Sequence, residues 1–567
     1  MSTKSMLVNF VGYPNEAFNL VPDNGLANLA ACLKRAGHHT LIWDCATISM
    51  IDYLYPRSDK RELTRLGAEI LRQMRSGEFV DKGMLDAYHA IEDQIDKYQD
   101  SRIRQLGREM ARYTRDHRLD FVGFKLWTGI GFHGSIILAE EIKAVNPSIR
   151  VFGGGPHVDL FMERSFQVTN VFDILVCGEG EDVIVQLAEF VEGKRALRDV
   201  ANALYVDNGQ VVANRQTRVQ DLDSLPLPCY DEDVYPAMHG DEKIKVILLD
   251  ESRGCPNDCH FCVHPIKSGR SRRLTSATTF VDRLEQVIAK YGFCSFRFAG
   301  SNPPVGLRRS IASEIVRRNM DVSFSAFAHV RGSDIHDFQL LRKAGCKALA
   351  FGVESGSQKI LDESMNKHVK VEDIRRALRQ CKDAGIALAI SVIIPAPHES
   401  EATKDETFEL LSDLRPDSTY VSFPIMTLGA AWDREKERFG FELSDPDNFY
   451  YKAMTHHFNV FGPAALWRPL DGYSLNGKTF QQLFSETAQF VERLGSIGLC
   501  TQFFDQVFLM AELAGMPTAD FARLSGKYIS EGDTEEMRML TRKVNLRVAE
   551  RAAKWSHKQH PVLPMPS

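Results

Sequence analysis

Three cysteines lie close together in the segment RGCPNDCHFC, at Cys255, Cys259 and Cys262. Thiolates at such short spacing are typical metal ligands, and His260 or His264 could complete a closed four-ligand zinc site. A zinc ion held by four protein ligands would be structural, because it keeps no open position for a substrate.

Two other interpretations of these thiols remain open. Buried structural cysteines are one, although Gly254 and Pro256 place the thiols at the exit of a strand, which is a poor position for core packing. An iron–sulfur cluster is the other, and clusters usually take four thiolate ligands. With only three, one iron would keep an open position for another molecule, so this interpretation predicts catalysis.

The elements around the cysteines predict where they lie in the fold. Six strand-like runs follow residue 243, each leading into a helical stretch, and they read KIKVILLD, CSFRFAG, DVSFSAF, KALAFGV, ALAISVII and TYVSFP. Six such units predict a partial (β/α)6 barrel over residues 244–440, with its active site at the carboxyl ends of the strands. The cysteines directly follow the first strand, so we expect them at that face.

The first part of the chain, residues 1–200, also alternates strands with helices. Its strands read SMLVNFVG, HTLIWD, DFVGFKL, IRVFGG and DILVCG. Five strands in this pattern predict a doubly wound, flavodoxin-like α/β domain that binds its ligand beyond the carboxyl ends of the strands. A charged helical insert at about residues 47–118 is either a solvated helical hairpin or a cover over that ligand site.

Two further regions complete the predicted domain organisation. Residues 201–243 form a linker that is rich in Pro and Asp and contains a hairpin around Asn208 and Gly209. From about residue 440 onward the strand pattern stops, and residues 441–567 predict a helical C-terminal cap domain. The basic stretch near the end of the chain is typical of a solvated helix rather than of a nucleic-acid-binding arm.

Composition restricts the class of protein. Of the 567 residues, 44% are hydrophobic and 25% are charged, which is ordinary for a soluble globular protein, and the net charge is −6. The acidic balance argues against nucleic acid or an anionic membrane as a partner and favours a small-molecule substrate. The sequence has no signal-peptide pattern and no long apolar run, so we expect a cytoplasmic protein with reduced cysteines. The oligomeric state is left open.

The pattern Cys-x3-Cys-x2-Cys after the first strand of a partial barrel resembles the signature of the radical S-adenosylmethionine (SAM) enzymes. The resemblance implies a 4Fe–4S cluster bound by Cys255, Cys259 and Cys262, with the amino and carboxylate groups of SAM on the fourth iron. It also implies an external low-potential electron donor, of the flavodoxin or ferredoxin type, whose electron cleaves SAM to a 5′-deoxyadenosyl radical.

Two later segments carry the same resemblance. LAFGVESGSQKILDESMNK is similar to the family's fourth-strand segment, so Glu354 and Ser355 would approach the ribose and amino acid parts of SAM. ISVIIPAPHES is similar to the fifth-strand segment, which implies that Ser391 lies near the adenine. An ordinary strand-to-helix turn with a serine cap, and plain barrel core, are the alternatives for these two segments.

One segment departs from the family pattern. Many members have Gly-Gly-Glu or an acidic pair after the second barrel strand, whereas this chain has FAGSNPP. The backbone at Gly300 and the side chains of Ser301 and Asn302 could still accept hydrogen bonds from the ammonium group of SAM. Because the carboxylate is missing, the usual pose of the cofactor stays open.

Glycine-rich turns, GGGPH and CGEGE, lie at the edge of the first domain. Such turns suit any phosphate or dinucleotide. A nicotinamide or flavin domain would have G-x-G-x-x-G after its first strand, but this chain has VGYPNEAF there. From about residue 5 to 425, the order of segments resembles the cobalamin-dependent radical SAM enzymes, in which a cobalamin-binding domain precedes the barrel.

This resemblance implies a set of cobalamin contacts in the turns after the third to fifth strands. They are Lys125, Trp127, Thr128, Gly153, Gly154, Gly155, His157, Gly178, Glu179 and Gly180. The motif Asp-x-His-x-x-G, which supplies a histidine to cobalt in corrinoid methyl carriers, does not occur in the sequence. We therefore expect no cobalt ligand from that motif, and expect Lys125 or Trp127 beneath the corrin, with core packing as the alternative for Trp127.

Cobalamin and SAM in one chain imply methyl transfer. The predicted function is a cobalamin-dependent radical SAM methyltransferase, moving a methyl group from SAM through methylcobalamin to an unactivated carbon or a phosphinate phosphorus of a small natural-product or secondary-metabolite precursor. Alternatives are a ring contraction or cyclisation with both cofactors, and non-radical methylation of an aromatic, indole-type carbon. An RNA methylthiotransferase would need a second cluster, for which Cys32, Cys45 and Cys177 are too scattered. A non-enzymatic corrinoid or iron–sulfur sensor is the alternative from another class.

The sequence does not indicate the substrate. Aromatic and histidine residues of the C-terminal domain could line its pocket, or pack as an aromatic core. They are Tyr450, Tyr451, His456, His457, Trp467 and Tyr473. No residue beyond the cofactor ligands is predicted to be catalytic.

Overall fold

The computed structural model describes residues 2–76, 80–501 and 503–559, with side chains described through residue 555. In these ranges the chain forms a seven-stranded sheet, a six-stranded sheet and a mainly helical C-terminal region that packs on both. None of the described helices is both long and apolar enough to cross a membrane.

The first sheet has the strand order β2-β1-β3-β4-β5-β6-β7. Its strands are β1 (Lys4–Asn9), β2 (His39–Asp44), β3 (Phe121–Lys125), β4 (Arg150–Gly154), β5 (Ile174–Val176), β6 (Ala203–Asp207) and β7 (Gln210–Ala213). The first five run parallel, and β1, β3 and β5 are buried almost along their whole length, as is usual for a sheet covered on both faces. This topology confirms the flavodoxin-like prediction.

Helices cover both faces of this sheet. They are α1 (Asn24–Arg35), α2 (Ile48–Leu54), α3 (Arg57–Ser76), α4 (Lys82–Asp116), α5 (Ile130–Val145), α6 (Pro156–Phe161) and α7 (Glu181–Val191). Helix α1 packs against α7, and α1 begins where the Asp23 carboxylate accepts a hydrogen bond from the Leu26 amide. The other oxygen of this carboxylate pairs with the Lys125 ammonium at 2.5 Å.

The helical insert consists of α2, α3 and α4 and is a packed layer rather than a solvated hairpin. Helix α4 lies along α5, with Ile95, Ile103 and Met110 in the core. An added Cβ at Gly107 would come within 2.8 Å of Glu141, so the two helices need a glycine at this close approach. The amino-terminal half of α4 also reaches the C-terminal region, which the sequence did not indicate.

Strands β6 and β7 form the hairpin that was expected in the linker. Asn208 and Gly209 both have positive φ, as a tight two-residue hairpin turn requires. Strand β6 pairs antiparallel with β5, so the hairpin extends the first sheet instead of standing between two domains. The exact domain limits stay a prediction.

The second sheet is a partial barrel. Strands β8 (Ile247–Leu249), β9 (Ser252–Arg253), β10 (Arg273–Leu274), β11 (Ser295–Phe298), β12 (Ser323–Ala328), β13 (Cys346–Glu354), β14 (Ala387–Ile393) and β15 (Ser418–Ser422) follow in chain order. Six of them form one sheet in the order β15-β14-β13-β12-β11-β8, and all neighbours in it are parallel. The predicted (β/α)6 barrel is therefore confirmed, while β9 and β10 form a separate short pair next to the cysteines.

The barrel strands alternate with helices. These are α8 (His264–Lys267), α9 (Ala277–Tyr291), α10 (Val305–Arg317), α11 (Ile335–Lys343), α12 (Val371–Asp383) and α13 (Glu401–Leu414). Helix α12 shows why these segments form helices that pack on the sheet. Its apolar residues recur at helical spacing and form one buried face, made of Ile374, Ala377, Leu378 and Cys381.

The C-terminal region consists of α14 (Ala431–Arg434), β16 (Phe441–Leu443), α15 (Pro446–Thr455), β17 (Tyr473–Leu475), β18 (Lys478–Thr479), α16 (Phe480–Ser496), α17 (Asp505–Ala514), α18 (Thr518–Glu531) and α19 (Thr534–Gln559). It is mainly helical, but the expectation that strands stop near residue 440 is wrong, because β16, β17 and β18 form an antiparallel sheet. Asn476 and Gly477 turn the β17–β18 hairpin with positive φ, and this Asn-Gly pair was an available signal.

Helix α17 ties the C-terminal region to the barrel. Asp505 at its start is fully buried, accepts a hydrogen bond of 2.6 Å from the Ser325 hydroxyl, and pairs with the Arg297 guanidinium at 3.0 Å. Both partners belong to barrel strands, β12 and β11. The last helices are thus part of the barrel's packing and not a detachable cap.

Candidate active site

The three cysteines lie on a loop that the β9–β10 pair holds at the end of the first barrel strand. Gly254 has φ of +86°, and an added Cβ there would lie 2.2 Å from the Ser271 carbonyl oxygen, so only glycine fits. The Cys255 amide donates to the Gly269 carbonyl at 3.0 Å, and the Cys262 amide donates to the Cys259 carbonyl at 3.1 Å. This backbone scaffold presents all three thiols, each partly exposed, at the carboxyl ends of the strands.

The chemistry of this donor set fits a cluster better than a single ion. Within the described ranges, no group of three or more His, Cys, Asp or Glu side chains has the spacing that one metal ion requires. Each thiolate of an iron–sulfur cluster binds a different iron, so the sulfurs need not converge on one point. Burial raises the pKa of the Cys262 thiol to about 11, so metal binding must supply the energy of its deprotonation.

The FAGSNPP turn is next to the cysteine loop. The Asn302 side-chain amide donates to the Cys255 sulfur at 3.4 Å, and the Ser301 hydroxyl lies 3.4 Å from the His264 ring. The Gly300 amide donates to the Glu251 carboxylate at 2.9 Å. The side chains expected to face SAM are therefore gathered at the cysteines.

Glu251 provides a carboxylate that the sequence analysis missed. It follows the first barrel strand, is 1% exposed, and lies beneath the turn in which other members have an acidic residue. Its second oxygen is buried and has no hydrogen-bond partner among the described residues. Burial raises the pKa of Glu251 to about 7. A buried carboxylate thus lies next to the FAGSNPP turn, which has none of its own, and the signal was the position of Glu251 just before the cysteine motif.

The fourth-strand residues divide into two roles. Glu354 has φ of +68° and pairs through its carboxylate with the Lys367 ammonium at 2.8 Å, and both side chains are buried. The Ser355 hydroxyl lies 3.1 Å from the Thr407 hydroxyl of α13 and is fully buried. Ser355 therefore matches the ordinary strand-to-helix turn, whereas Glu354 is held in a buried ion pair by Lys367. Ser391 lies in β14, in register with Gly352 of β13.

Several buried polar atoms at this end of the barrel have no partner in the part of the chain that the structure describes. They belong to Glu251, Ser252, Arg308, His329 and Ser357. Buried polar groups are normally hydrogen-bonded, so such a group of orphans indicates an occupant with donors and acceptors. SAM carries an ammonium, a carboxylate, ribose hydroxyls and an adenine, so these residues fit it. Arg308, His329 and Lys367 could not be assigned from the sequence, since no motif marks them.

A cavity of about 300 Å³ opens in the first domain toward the carboxyl ends of β3, β4 and β5. Glycines form much of its wall, and an added Cβ at Gly153 would lie 2.6 Å from a Leu126 methyl, and one at Gly180 would lie 3.1 Å from a Leu29 methyl. Its predicted cobalamin contacts are Lys125, Gly153, Gly154, Gly155, Gly178, Glu179 and Gly180. A slot kept open by glycines and lined by apolar side chains fits the nucleotide tail of cobalamin.

Three of the predicted cobalamin contacts lie outside this cavity. The Trp127 indole donates to the Asn9 side chain at 2.8 Å, and the Lys125 ammonium stands 4.5 Å from the centre of its ring. Thr128 is exposed at the start of the loop before α5. His157 is fully buried and stacks on Phe132 at 3.6 Å, and burial lowers its pKa to about 3. The side chain of His157 thus packs in the domain interior, and its role as a contact stays a prediction.

Buried ion pairs connect the two sites. Arg253, immediately before the cysteine loop, pairs with Glu181 at 2.5 Å, and Arg273 pairs with Glu179 at 2.6 Å. Burial raises the pKa of the Glu179 carboxyl, but the Arg273 and Arg253 guanidiniums hold it below its usual value. Glu179 and Glu181 also line the first-domain cavity, so one network braces both sites.

Comparison with known proteins agrees with this arrangement. The family model described as the radical SAM superfamily matches residues 252–411, and the model described as the B12 binding domain matches residues 60–188. The chain therefore carries both domains of the cobalamin-binding radical SAM enzymes. Their cofactors are a 4Fe–4S cluster, SAM and cobalamin.

Individual relatives of this cobalamin-binding radical SAM protein are distant. An uncharacterized methyltransferase of Pyrococcus horikoshii is 27% identical over 56% of this chain and 69% of its own length. The anaerobic magnesium-protoporphyrin IX monomethyl ester cyclase of Cereibacter sphaeroides is 26% identical over 61% of this chain, which spans 58% of the cyclase. The radical SAM methyltransferase TsrM of Kitasatospora setae, solved with cobalamin and a 4Fe–4S cluster, has TM-score 0.64 at 14% identity, covering 95% of this chain and 100% of TsrM. The last likeness concerns the fold alone.

Proposed function

We propose that this protein transfers a methyl group from SAM, by way of cobalamin, to an unactivated carbon or a phosphinate phosphorus of a small natural-product or metabolite precursor. The observation that carries the proposal is the buried network of Arg253 and Arg273 with Glu179 and Glu181. It joins a cavity suited to cobalamin to the loop suited to the cluster. When bound, the cluster with SAM supplies a radical, and cobalamin supplies a transferable methyl group.

The chain's own residues have positioning roles in this proposal. Cys255, Cys259 and Cys262 would hold three irons of the cluster. Asn302 donates to the Cys255 sulfur, and such a hydrogen bond lowers the electron density on a thiolate. Glu251 would accept a hydrogen bond from the ammonium of SAM through its unpartnered oxygen, taking the part of the acidic residue that FAGSNPP lacks.

We further propose that the substrate binds where the insert meets the C-terminal region. A cavity of about 520 Å³ lies between Glu92 and Asp96 of α4 and the segment around His456, His457 and Arg468. The backbone oxygen of His456 lies 2.9 Å from the position of a Cβ on Gly129, in the loop that follows β3. The cavity therefore borders the loop that carries Trp127 and Thr128.

The walls of this cavity indicate a polar substrate group. Glu92 is 3% exposed, and one of its carboxylate oxygens has no partner among the described residues. The same is true of the His456 ring nitrogen Nε2 and the Asn459 amide nitrogen. A molecule offering a donor to Glu92 and an acceptor to Asn459 would satisfy them. Water molecules would satisfy the same atoms, and the Glu92→Gln variant distinguishes a substrate from water as the occupant of the cavity.

The remaining aromatic candidates have packing roles. Tyr450 and Tyr473 are buried, and their hydroxyls donate to Asp433 and to the Pro424 carbonyl, respectively. The Trp467 ring stacks on Phe458 at 4.6 Å and donates to the Asn459 carbonyl at 2.9 Å, which fixes the wall beside the cavity. Tyr451 is exposed.

A ring contraction or cyclisation with the same two cofactors is the second candidate function. It is favoured by the cyclase among the relatives, which matches over a longer part of this chain than the methyltransferase does. Non-radical methylation of an indole-type carbon differs only in whether SAM is also cleaved to 5′-deoxyadenosine. A corrinoid or cluster sensor would need neither the buried Glu251 nor a substrate cavity.

One experiment separates these functions. The protein is purified without oxygen, its iron and corrinoid are measured, and labelled SAM, a low-potential reductant and candidate substrates are added. A radical methyltransferase gives S-adenosylhomocysteine, 5′-deoxyadenosine and a labelled product. A polar methyltransferase gives S-adenosylhomocysteine without 5′-deoxyadenosine, and a cyclase gives 5′-deoxyadenosine with unlabelled product. One zinc and no corrinoid would contradict the proposal outright.

A further inference from the structure

Lys367 is a buried cation at the cysteine loop. It is 8% exposed, its ammonium lies 2.8 Å from the Glu354 carboxylate, and it stands 5.7 Å from the centre of the Phe261 ring. Phe261 lies between Cys259 and Cys262 in the sequence. Burying an ammonium is costly, so its position next to a cluster loop calls for an explanation.

The chain holds Lys367 in this place through its neighbours. The His260 amide donates to the Met365 carbonyl at 3.0 Å, and the Asn366 side chain donates to the Asp258 carbonyl at 3.2 Å. Arg331 donates to the Lys367 carbonyl at 3.1 Å from the other side. The segment that carries Lys367 is thus bound directly to the loop that carries the cysteines, and the two cannot move apart independently.

The ammonium is the end of this ion pair that faces the cysteine loop. It stands over the ring of Phe261, the residue directly before Cys262. The Glu354 carboxylate instead lies back against its own strand, 2.4 Å from the position of a Cβ on Gly352, whereas the ammonium is 3.1 Å from that position. The pair therefore presents its positive end to the loop that carries the sulfurs.

We propose that Lys367 raises the reduction potential of the cluster bound by Cys255, Cys259 and Cys262, and so eases its one-electron reduction. The inference rests on the cluster assignment within the proposed function. Reduction adds one negative charge to the cluster, taken from the external donor. A fixed cation in a poorly solvated site stabilises that added charge more than it stabilises the oxidised form.

The test measures a potential instead of turnover. Wild type and Lys367→Met holoproteins, each with about four irons per chain, are titrated with reductant in the absence of SAM and followed by electron paramagnetic resonance. We expect the ratio of reduced to oxidised cluster at a fixed potential to fall about tenfold, a shift of about 59 mV for one electron. Lys359→Met is the matched control, because Lys359 is an exposed lysine of the same segment.

Three further variants keep the test decisive if Lys367→Met loses iron. Glu354→Gln removes the opposing charge and should raise the potential, and Lys367→Arg should keep the wild-type value. The double variant Lys367→Met/Glu354→Gln, which leaves no unpaired buried charge, should lie below wild type. Equal potentials in all these variants, or a shift in Lys359→Met as large as in Lys367→Met, would overturn the inference.

Failure of the proposed function would be recognisable separately. A protein that binds about four irons and shows the expected potentials, but gives no labelled product with any substrate, leaves the role of Lys367 intact and removes the methyltransferase assignment. A wild-type protein that binds no cluster removes both.

Discussion

The two candidate cofactor sites are built by opposite means. The cavity of the first domain is shaped by missing side chains, with glycines at Gly153, Gly154 and Gly180 that keep a slot open between apolar walls. The barrel mouth is instead crowded with polar side chains, such as Glu251 and His329, each of which keeps one buried polar atom without a hydrogen-bond partner in the described ranges. These linings favour selection of an occupant by shape at the first site, and by charge and hydrogen bonding at the second.

This difference has an energetic side. Glycines in turns cost conformational entropy, but they leave no unsatisfied group behind. Unpaired buried polar atoms each cost about 1–3 kcal/mol in the empty protein, so the barrel mouth is a strained site that its ligand relieves. We therefore expect the first site to tolerate changes of polarity but not of volume, and the second to show the reverse.

The largest effect is expected from Cys259→Ala. Loss of one of three thiolates should abolish the cluster and all SAM cleavage, because the remaining two ligands hold only two irons. The corrinoid content should stay at the wild-type level if the two sites fold independently. Iron analysis and the corrinoid absorption spectrum of one anaerobic preparation check both statements. A parallel loss of corrinoid would show that the ion-pair network makes the sites depend on each other.

Gly154→Leu changes the cavity of the first domain and leaves the cysteine loop intact. A leucine side chain would fill part of the 300 Å³ cavity, so corrinoid affinity should fall by about 10- to 100-fold while iron content stays constant. Retained corrinoid is measured after gel filtration at a series of concentrations. Gly526→Leu serves as the control, because an added Cβ at Gly526 has no neighbour within 4 Å. Normal corrinoid affinity in Gly154→Leu would mean that shape does not select the ligand there.

Glu251→Gln should weaken SAM binding and increase the free energy of unfolding of the SAM-free protein. Burial raises the pKa of Glu251 from 4.5 to about 7, so the folded protein loses stability between these pH values, where the unfolded carboxyl ionises first. Glutamine does not ionise. The free energy of unfolding of the variant therefore exceeds that of wild type increasingly as pH rises, by about 3 kcal/mol above pH 7. Urea unfolding of SAM-free protein at pH 5 and pH 8 measures it.

The same Glu251→Gln variant should bind SAM more weakly, because its amide is a poorer acceptor for an ammonium than a carboxylate. Glu401→Gln, at an exposed position in α13, should differ little between the two pH values. A gain that is equal at pH 5 and pH 8 would contradict the assignment of a strained carboxyl at the barrel mouth.

The smallest effect is expected from Glu92→Gln at the proposed substrate cavity. Removing the charge should raise KM for a donor-bearing substrate about tenfold with little change in kcat, because the contact lies away from the reacting atom. Steady-state methylation or cyclisation assays give the two constants separately. Asp93→Asn is the matched control, since the Asp93 side chain neighbours the same Arg468 but is exposed. Equal constants for both variants would assign the cavity to water.

Much of this architecture could be predicted from particular residues. The spacing of Cys255, Cys259 and Cys262 after a strand carried the resemblance that predicts a cluster loop, and the runs from KIKVILLD to TYVSFP predicted all six barrel strands, because a buried strand needs a continuous apolar run whatever packs on it. Where prediction failed, the cause was local. Strands β16, β17 and β18 are only two or three residues long, too short to show a period.

The sequence by itself indicated the class of cofactors through its resemblance to cobalamin-dependent radical SAM enzymes, since that resemblance depends on the types and spacing of a few neighbouring residues. Only the tertiary structure decided which distant residues complete the sites. Glu251 lies beneath Gly300, Lys367 lies beside the cysteine loop, and Glu92 faces His456 from another part of the chain. Such pairings depend on how helices and strands pack in three dimensions, and a single sequence carries no periodic signal for a contact between residues so far apart.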